Sequence, residues 1–344
     1  GYEHVTAVEH VLLDPDGLEP LDSLWREAIG GDGRIVSGDF DRLEHSARVE
    51  VLDGGLRPDL DRLVRKVCGV SGLASDSATA AVAAVTLALD RYRTYLPGDA
   101  QSDRVLDDVE RVAAGERPDL ASVIRDVVDL VRSNDAVRSR WQQLTGPVMA
   151  KGAEDRAFYR HQRLSALCEV GGRPGTWTLD VADFHDHQRR IQAGWPANML
   201  TATTHDTKRS EAVRARSLAL AAIAGEWVAV VRSWRAAHGE LAAGLSGGDL
   251  LLALQTAVTA RPLDAARLHG YLVKAAREAE LDTDWTEPDV VYEEGLRELA
   301  VSLVAELATD GSALASIAGR VEREGADLGL AVLALQLTCP GVPD

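Results

Sequence analysis

Apolar residues recur along most of this chain at the three- and four-residue spacing that gathers them on one side of a helix. Leu56, Leu60, Leu63, Val64 and Val67 form one such face, and Leu120, Val123, Ile124, Val127, Leu130 and Val131 form another. An alanine-rich stretch from about Ser77 to Tyr95 is helical by propensity as well, because alanine loses almost no side-chain entropy in a helix. Pro97-Gly98 breaks it. From Pro118 the pattern stays helical, with interruptions, to about Val170, where Gly171-Gly172-Arg173-Pro174-Gly175 turns the chain. A short helix over 180–192 comes next. Further helices are predicted near 210–222, 225–243, 249–259, 262–280, 288–308 and 312–336.

Strand signals are few: 197–204, the end from Thr338 to Val342, and an ambiguous stretch at Arg34 to Val36. The convincing strands are flanked by helices in the β-then-α order of a barrel. The expected fold is therefore mainly α: a large helical insertion domain, with a few strands belonging to a (β/α)8 barrel.

Composition narrows the function. With 344 residues, 46% of them hydrophobic, the chain can bury a sizeable core. A net charge of -17 with no dense Lys/Arg stripe opposes phosphate backbones and anionic membranes, so neither nucleic acid nor membrane is expected as a partner. Cys68, Cys168 and Cys339 are far apart and read as small hydrophobes in a reducing compartment. No apolar run approaches the ~18 residues of a membrane span, and Gly1-Tyr2-Glu3-His4 lacks the character of a signal peptide, which points to the cytoplasm. The chain starts without methionine and stops at Pro340-Gly341-Val342-Pro343-Asp344, directly after an apolar helix, so it reads as a piece of a longer one.

Candidate chemistry centres on Thr204-His205-Asp206-Thr207-Lys208-Arg209, between a predicted strand and a predicted helix. His205 and Asp206 side by side at the C-terminal end of a strand stand where a parallel barrel keeps its active site. Alternatively, Asp206 or Thr207 simply caps the next helix. A second polar cluster runs from Arg140 to Arg163 and includes Lys151, Glu154, Asp155, Phe158, Tyr159 and Arg160. It reads either as a solvated helix face with i,i+4 ion pairs or as a sugar site, in which aromatic faces stack on pyranose rings while charged groups take the hydroxyls. Arg91-Tyr92-Arg93-Thr94-Tyr95 closes a helix, as a cationic cap or as part of the same chemistry. His185-Asp186-His187 points its rings to different helix faces, and no metal site is expected.

Longer motifs add a resemblance. Met149 through Arg160, Glu169-Val170-Gly171-Gly172, Trp195-Pro196-Ala197-Asn198-Met199-Leu200 and Thr204-His205-Asp206-Thr207-Lys208-Arg209-Ser210-Glu211, in that order and spacing, resemble the maltooligosyl trehalose synthases of the alpha-amylase superfamily, glycoside hydrolase family 13. Tyr92-Arg93-Thr94-Tyr95, Lys274 through Ala279, Trp285-Thr286-Glu287-Pro288 and Pro340 through Asp344 extend the likeness over essentially the whole chain. Arg156, His161-Gln162, Cys168, Arg173 and Ala212 depart from the family pattern.

The resemblance implies an isomerase of trehalose biosynthesis that converts the reducing-end α-1,4 bond of a maltooligosaccharide into an α,α-1,1 bond by intramolecular, retaining transfer, without a cofactor. It implies that the barrel strands bearing the nucleophile and the acid/base lie elsewhere in the same full-length polypeptide. It assigns catalytic roles to Asp206, as the third carboxylate, and to His205. Lys151, Glu154, Asp155, Phe158, Tyr159, Arg160, Lys208, Arg209, Trp195, Tyr95 and Tyr2 become substrate-binding candidates. The implied division is a barrel-derived segment at 1–30, a helical insertion at 31–140, a barrel segment at 141–222, a helical subdomain at 223–336 and the start of the last barrel strand at 337–344. Two other readings stand beside it: a hydrolase of the same superfamily, or a non-catalytic helical carbohydrate-binding or structural segment.

Overall fold

The computed structural model describes residues 2–30, 35, 39–97 and 100–343. Gly1, most of the ambiguous stretch near Arg34 to Val36, Gly98 and Asp344 lie outside the described residues. Of the described residues 74% are helical, with almost no strand, as the periodicity requires. In chain order the helices are α1 (Tyr2–Leu12), α2 (Leu18–Ile29), α3 (Phe40–Asp53), α4 (Arg57–Ser71), α5 (Ser75–Leu87) and α6 (Ala100–Glu116). They continue with α7 (Ala121–Ser133), α8 (Asp135–Val148), a π-helical stretch at Met149–Ala157, the single turn α9 (Phe158–Arg160) and α10 (Val181–Gly194). After the strand β1 (Met199–Leu200) come α11 (Glu211–Ala222), α12 (Ala224–Ala237), α13 (Gly239–Ala243), α14 (Gly247–Thr259), α15 (Ala265–Ala279), α16 (Val290–Leu307) and α17 (Ala313–Thr338), then β2 (Val342–Pro343). Among the described residues no single helix is long and apolar enough to cross a membrane.

The molecule divides into two compact units, one of Gly1–Phe40 with Phe158–Asp344 and one of Asp41–Ala157. In the second unit the two faces picked out by periodicity turn inward. Leu60, Leu63, Val64 and Val67 of α4 meet Ile124, Val127 and Val131 of α7 in one apolar cluster with Ala78, Ala81, Val82 and Val85 of α5. In the first unit, Leu250 to Leu254 of α14 sit in a core shared with Trp25 of α2, Leu218 of α11, Trp227 of α12, Leu272 of α15, Leu299 of α16 and Val321 of α17.

Three local expectations change. The alanine-rich helix stops at Leu87, eight residues short of Tyr95, and Arg91 to Tyr95 lie in irregular chain. Arg48, reaching across from α3, caps its end by donating to the carbonyls of Thr86 and Leu89 at 3.2 and 2.8 Å, where the alanine run gives out at Ala88. The two strands pair in parallel, Met199 opposite Val342 and Leu200 opposite Pro343, but each is two residues long rather than the predicted run. α17 continues through Thr338, which leaves the second strand only its end.

Candidate functional site

The segment between β1 and α11 carries the candidate site. Its first question is whether Asp206 is merely a helix cap. It is not: Ser210 is the N-cap of α11, its hydroxyl accepting from the Val213 amide at 3.4 Å. His205 and Asp206 project outward, with side chains 90% and 59% exposed and 3.4 Å between His205 Nε2 and Asp206 Oδ2. The turn beneath them is held by Thr207, whose hydroxyl donates to the Thr204 carbonyl at 2.9 Å, and by Thr204, whose Oγ1 accepts the Asp206 amide at 3.2 Å.

Tyr2, the first residue of α1, reaches this turn. Its hydroxyl lies 3.0 Å from Thr204 Oγ1 and donates to Asp206 Oδ2 at 3.4 Å. The approach depends on Gly171, which has φ +72° and no Cβ; a Cβ there would stand 2.7 Å from Tyr2 Cβ.

Lys208 and Arg209 are expected to bind substrate. Arg209 does something else: it is buried, and donates to the Cys168 carbonyl at 3.1 Å and to the Tyr271 hydroxyl at 2.9 Å. Lys208 lays its ammonium over the Tyr159 ring, 4.8 Å from the centroid. Phe158, Tyr159 and Arg160 are buried, at 3, 4 and 4% exposure, so they act from within the fold rather than as an open sugar floor. Phe158 packs on Phe40 with centroids 5.8 Å apart, and Arg160 donates to the Ala279 carbonyl at 2.7 Å. Trp195 is exposed at the end of α10.

Lys151, Glu154 and Asp155 belong to the other unit, on the π-helical stretch. Lys151 pairs with Asp155 at 2.6 Å, and Glu154 accepts the hydroxyl of Tyr92. Tyr95 is exposed, with the Arg93 guanidinium 5.0 Å from its ring centroid.

Sequence reading missed the groups that hold the His205–Asp206 turn from inside. Glu169, buried, accepts the amides of Lys208 at 2.6 Å and Arg209 at 2.9 Å. Arg214, also buried, donates to the Arg209 carbonyl at 2.7 Å, to the Ala202 carbonyl, and to Glu9 Oε1 at 2.5 Å. Burial pushes the Glu9 carboxyl up, to about 7, against the downward pull of Arg214. A signal for Arg214 existed: it sits on the inward stripe of α11 with Ser217, Leu218 and Ala221, and an arginine at a core position needs partners.

Of the positions that depart from the family pattern, Arg156, His161, Gln162 and Cys168 are buried, whereas Arg173 and Ala212 are exposed. His161 packs on Trp25 and Phe40, and burial drives its imidazole down to about 3. Cys168 is buried, its thiol pushed up to about 12 by desolvation, so it is inert packing. Among the described residues no group of His, Cys, Asp or Glu is arranged to hold a metal ion.

No protein-family model matches the chain. It is 32% identical over 352 aligned residues to a Mycobacterium tuberculosis protein provisionally named maltooligosyl trehalose synthase, a match that takes in all of this chain and 44% of that one. Its fold superposes on a variant of the maltooligosyltrehalose synthase of Arthrobacter ramosus with a TM-score of 0.85 at 35% identity, covering all of this chain and 43% of that one. The unmodified Arthrobacter ramosus protein gives a TM-score of 0.83 at 34% identity over the same shares. The chain thus spans less than half the length of the relatives it matches. By sequence and by fold alike, it is homologous along its whole length to the maltooligosyl trehalose synthases.

Proposed function

We propose that this chain is part of a longer enzyme that rearranges the reducing-end α-1,4 bond of maltooligosaccharides into an α,α-1,1 bond, the trehalose linkage. The observation that carries the reading is the exposed His205–Asp206 pair in the loop that follows a strand in parallel pairing, in a chain whose relatives bear that enzyme name. Because Ser210 already caps α11, the outward carboxylate has no capping role to explain it.

In this reading the two strands belong to an alpha-amylase-type barrel whose other strands, with the nucleophile and the acid/base carboxyl, lie in the rest of the polypeptide. A carboxylate nucleophile about 5 Å from an acid/base carboxyl forms a covalent glycosyl intermediate, and the released glucose, rather than water, attacks it. Asp206 binds ring hydroxyls of the sugar being cleaved, more tightly as positive charge develops there, and its own charge raises the pKa of the neighbouring acid. His205 donates to the same sugar, while Tyr2 steadies the carboxylate. Lys151, Glu154, Asp155, Tyr95 and Trp195 contact the substrate. Phe158, Tyr159, Arg160 and Arg209 support from within, with Lys208 stacked on Tyr159.

Asp206→Asn in the full-length polypeptide tests this. Turnover, followed as loss of reducing ends on maltooligosaccharides without release of free glucose, is expected to fall about 10³-fold or more with the unfolding midpoint unchanged. Near-normal loss of reducing ends in the variant sinks the assignment. Free glucose as the main product of the unmodified enzyme makes it a hydrolase instead.

A further inference from the structure

An exposed catalytic turn has to be held still by something that is not itself exposed. The His205–Asp206 turn has such a support, and it comes from three sequence-distant places. Glu169 lies in the Glu169-Val170-Gly171-Gly172 turn, Arg214 one turn into α11, and Glu9 in α1.

The carboxylate of Glu169 takes both consecutive amides after Thr207, one on each oxygen: Lys208 at 2.6 Å on Oε1 and Arg209 at 2.9 Å on Oε2. Arg214 spans the segment from the other side. One guanidinium arm meets the carbonyl at its entry, Ala202, and the other meets the carbonyl at its exit, Arg209, while Nε is anchored on Glu9. Arg214 Nη1 also lies 4.0 Å from Glu169 Oε2, so the two clamping groups neutralise one another. All three side chains are buried, where such bonds are not diluted by water. The planar fork of arginine suits two carbonyls held at a fixed separation; an ammonium offers no such geometry.

We propose that Glu169 and Arg214 are positioning residues that hold the backbone on either side of His205 and Asp206, and so set where the Asp206 carboxylate meets the sugar. This rests on Asp206 being the third carboxylate. Neither residue touches substrate. Their contribution is the difference between a carboxylate held within a fraction of an ångström and one that wanders with its loop.

The experiment begins with the unmodified full-length polypeptide, by amide hydrogen exchange. The amides of Lys208 and Arg209 are expected to be protected at least 10²-fold more than that of His205. Equal, fast exchange at all three overturns the clamp without any variant being made. Glu169→Gln removes one of the two acceptor oxygens, and Arg214→Lys removes the fork while keeping its charge. In whichever of them folds, exchange across 202–209 should rise about tenfold, kcat should fall tenfold or more, and KM should stay within about twofold. Unchanged exchange, or unchanged kcat with faster exchange, overturns the positioning role. If Asp206→Asn is fully active while the Glu169→Gln turn still loosens, it is the Asp206 assignment that fails, not the clamp.

Discussion

Two stretches of this chain each carry a cluster of charged residues in sequence, yet they are held in opposite ways. At 202–209 the chemistry-bearing side chains face outward on irregular backbone, and buried charges, Glu169 and Arg214, fix that backbone. At 149–157 the backbone is a helix, and the exposed groups pair with one another, Lys151 with Asp155 and Glu154 with Tyr92. Position is set there by backbone packing: Gly152 lies so close to Arg48 that a Cβ would come within 2.7 Å of Arg48 Cα. A loop borrows rigidity from buried charges, whereas a helix needs only a face that fits.

The largest effect expected from this contrast is at Arg214. Arg214→Ala strands Glu9 in the interior and leaves the Ala202 and Arg209 carbonyls without their donor. A loss of about 3–5 kcal/mol is expected in the unfolding free energy of the full-length protein, measured by denaturant titration. A loss under about 1 kcal/mol would mean that the buried charges do not carry the turn.

Acid should have the next largest effect, through His161 in the core beside Trp25 and Phe40. His161 is held neutral by burial, with its pKa lowered from 6.5 to about 3. The unfolded chain therefore takes up a proton first as pH falls. This contribution to stability is complete above about pH 6.5 and is lost on the way down to about 3, at roughly 1.4 kcal/mol per pH unit. His161→Leu should remove that slope between pH 6 and 5; parallel stability curves for variant and parent would refute it.

The smallest effect is at Lys151. Its pair with Asp155 is exposed and spaced i,i+4, so Lys151→Ala should shift stability by no more than about 0.5 kcal/mol. If Lys151 contacts sugar as proposed, the same variant loses activity all the same. Large destabilisation would remove the contrast between the two regions, because it would make the helix-borne cluster structural too.

Much of the fold was legible. The apolar spacing in 210–222, 249–259 and 312–336 matches α11, α14 and α17 to within a few residues, because a helix is stabilised by contacts its own sequence repeats every turn. The cap of α5 was not legible, since the group that supplies it, Arg48, lies about 40 residues earlier. The same distance hid the fate of polar residues. Arg209, Arg160 and Phe158 looked available because nothing near them in sequence shows that Cys168, Tyr271, Ala279 and Phe40 wait to receive them.

What the sequence determined by itself was the helical class, most helix positions and the His205–Asp206 turn, all written in residues within a few positions of one another. Which charged groups face solvent, and which are spent holding that turn, was decided only by tertiary structure. Burying a charge is tolerable only where several partners converge on it, and Glu9, Glu169 and Arg214 meet from parts of the chain as much as 205 residues apart.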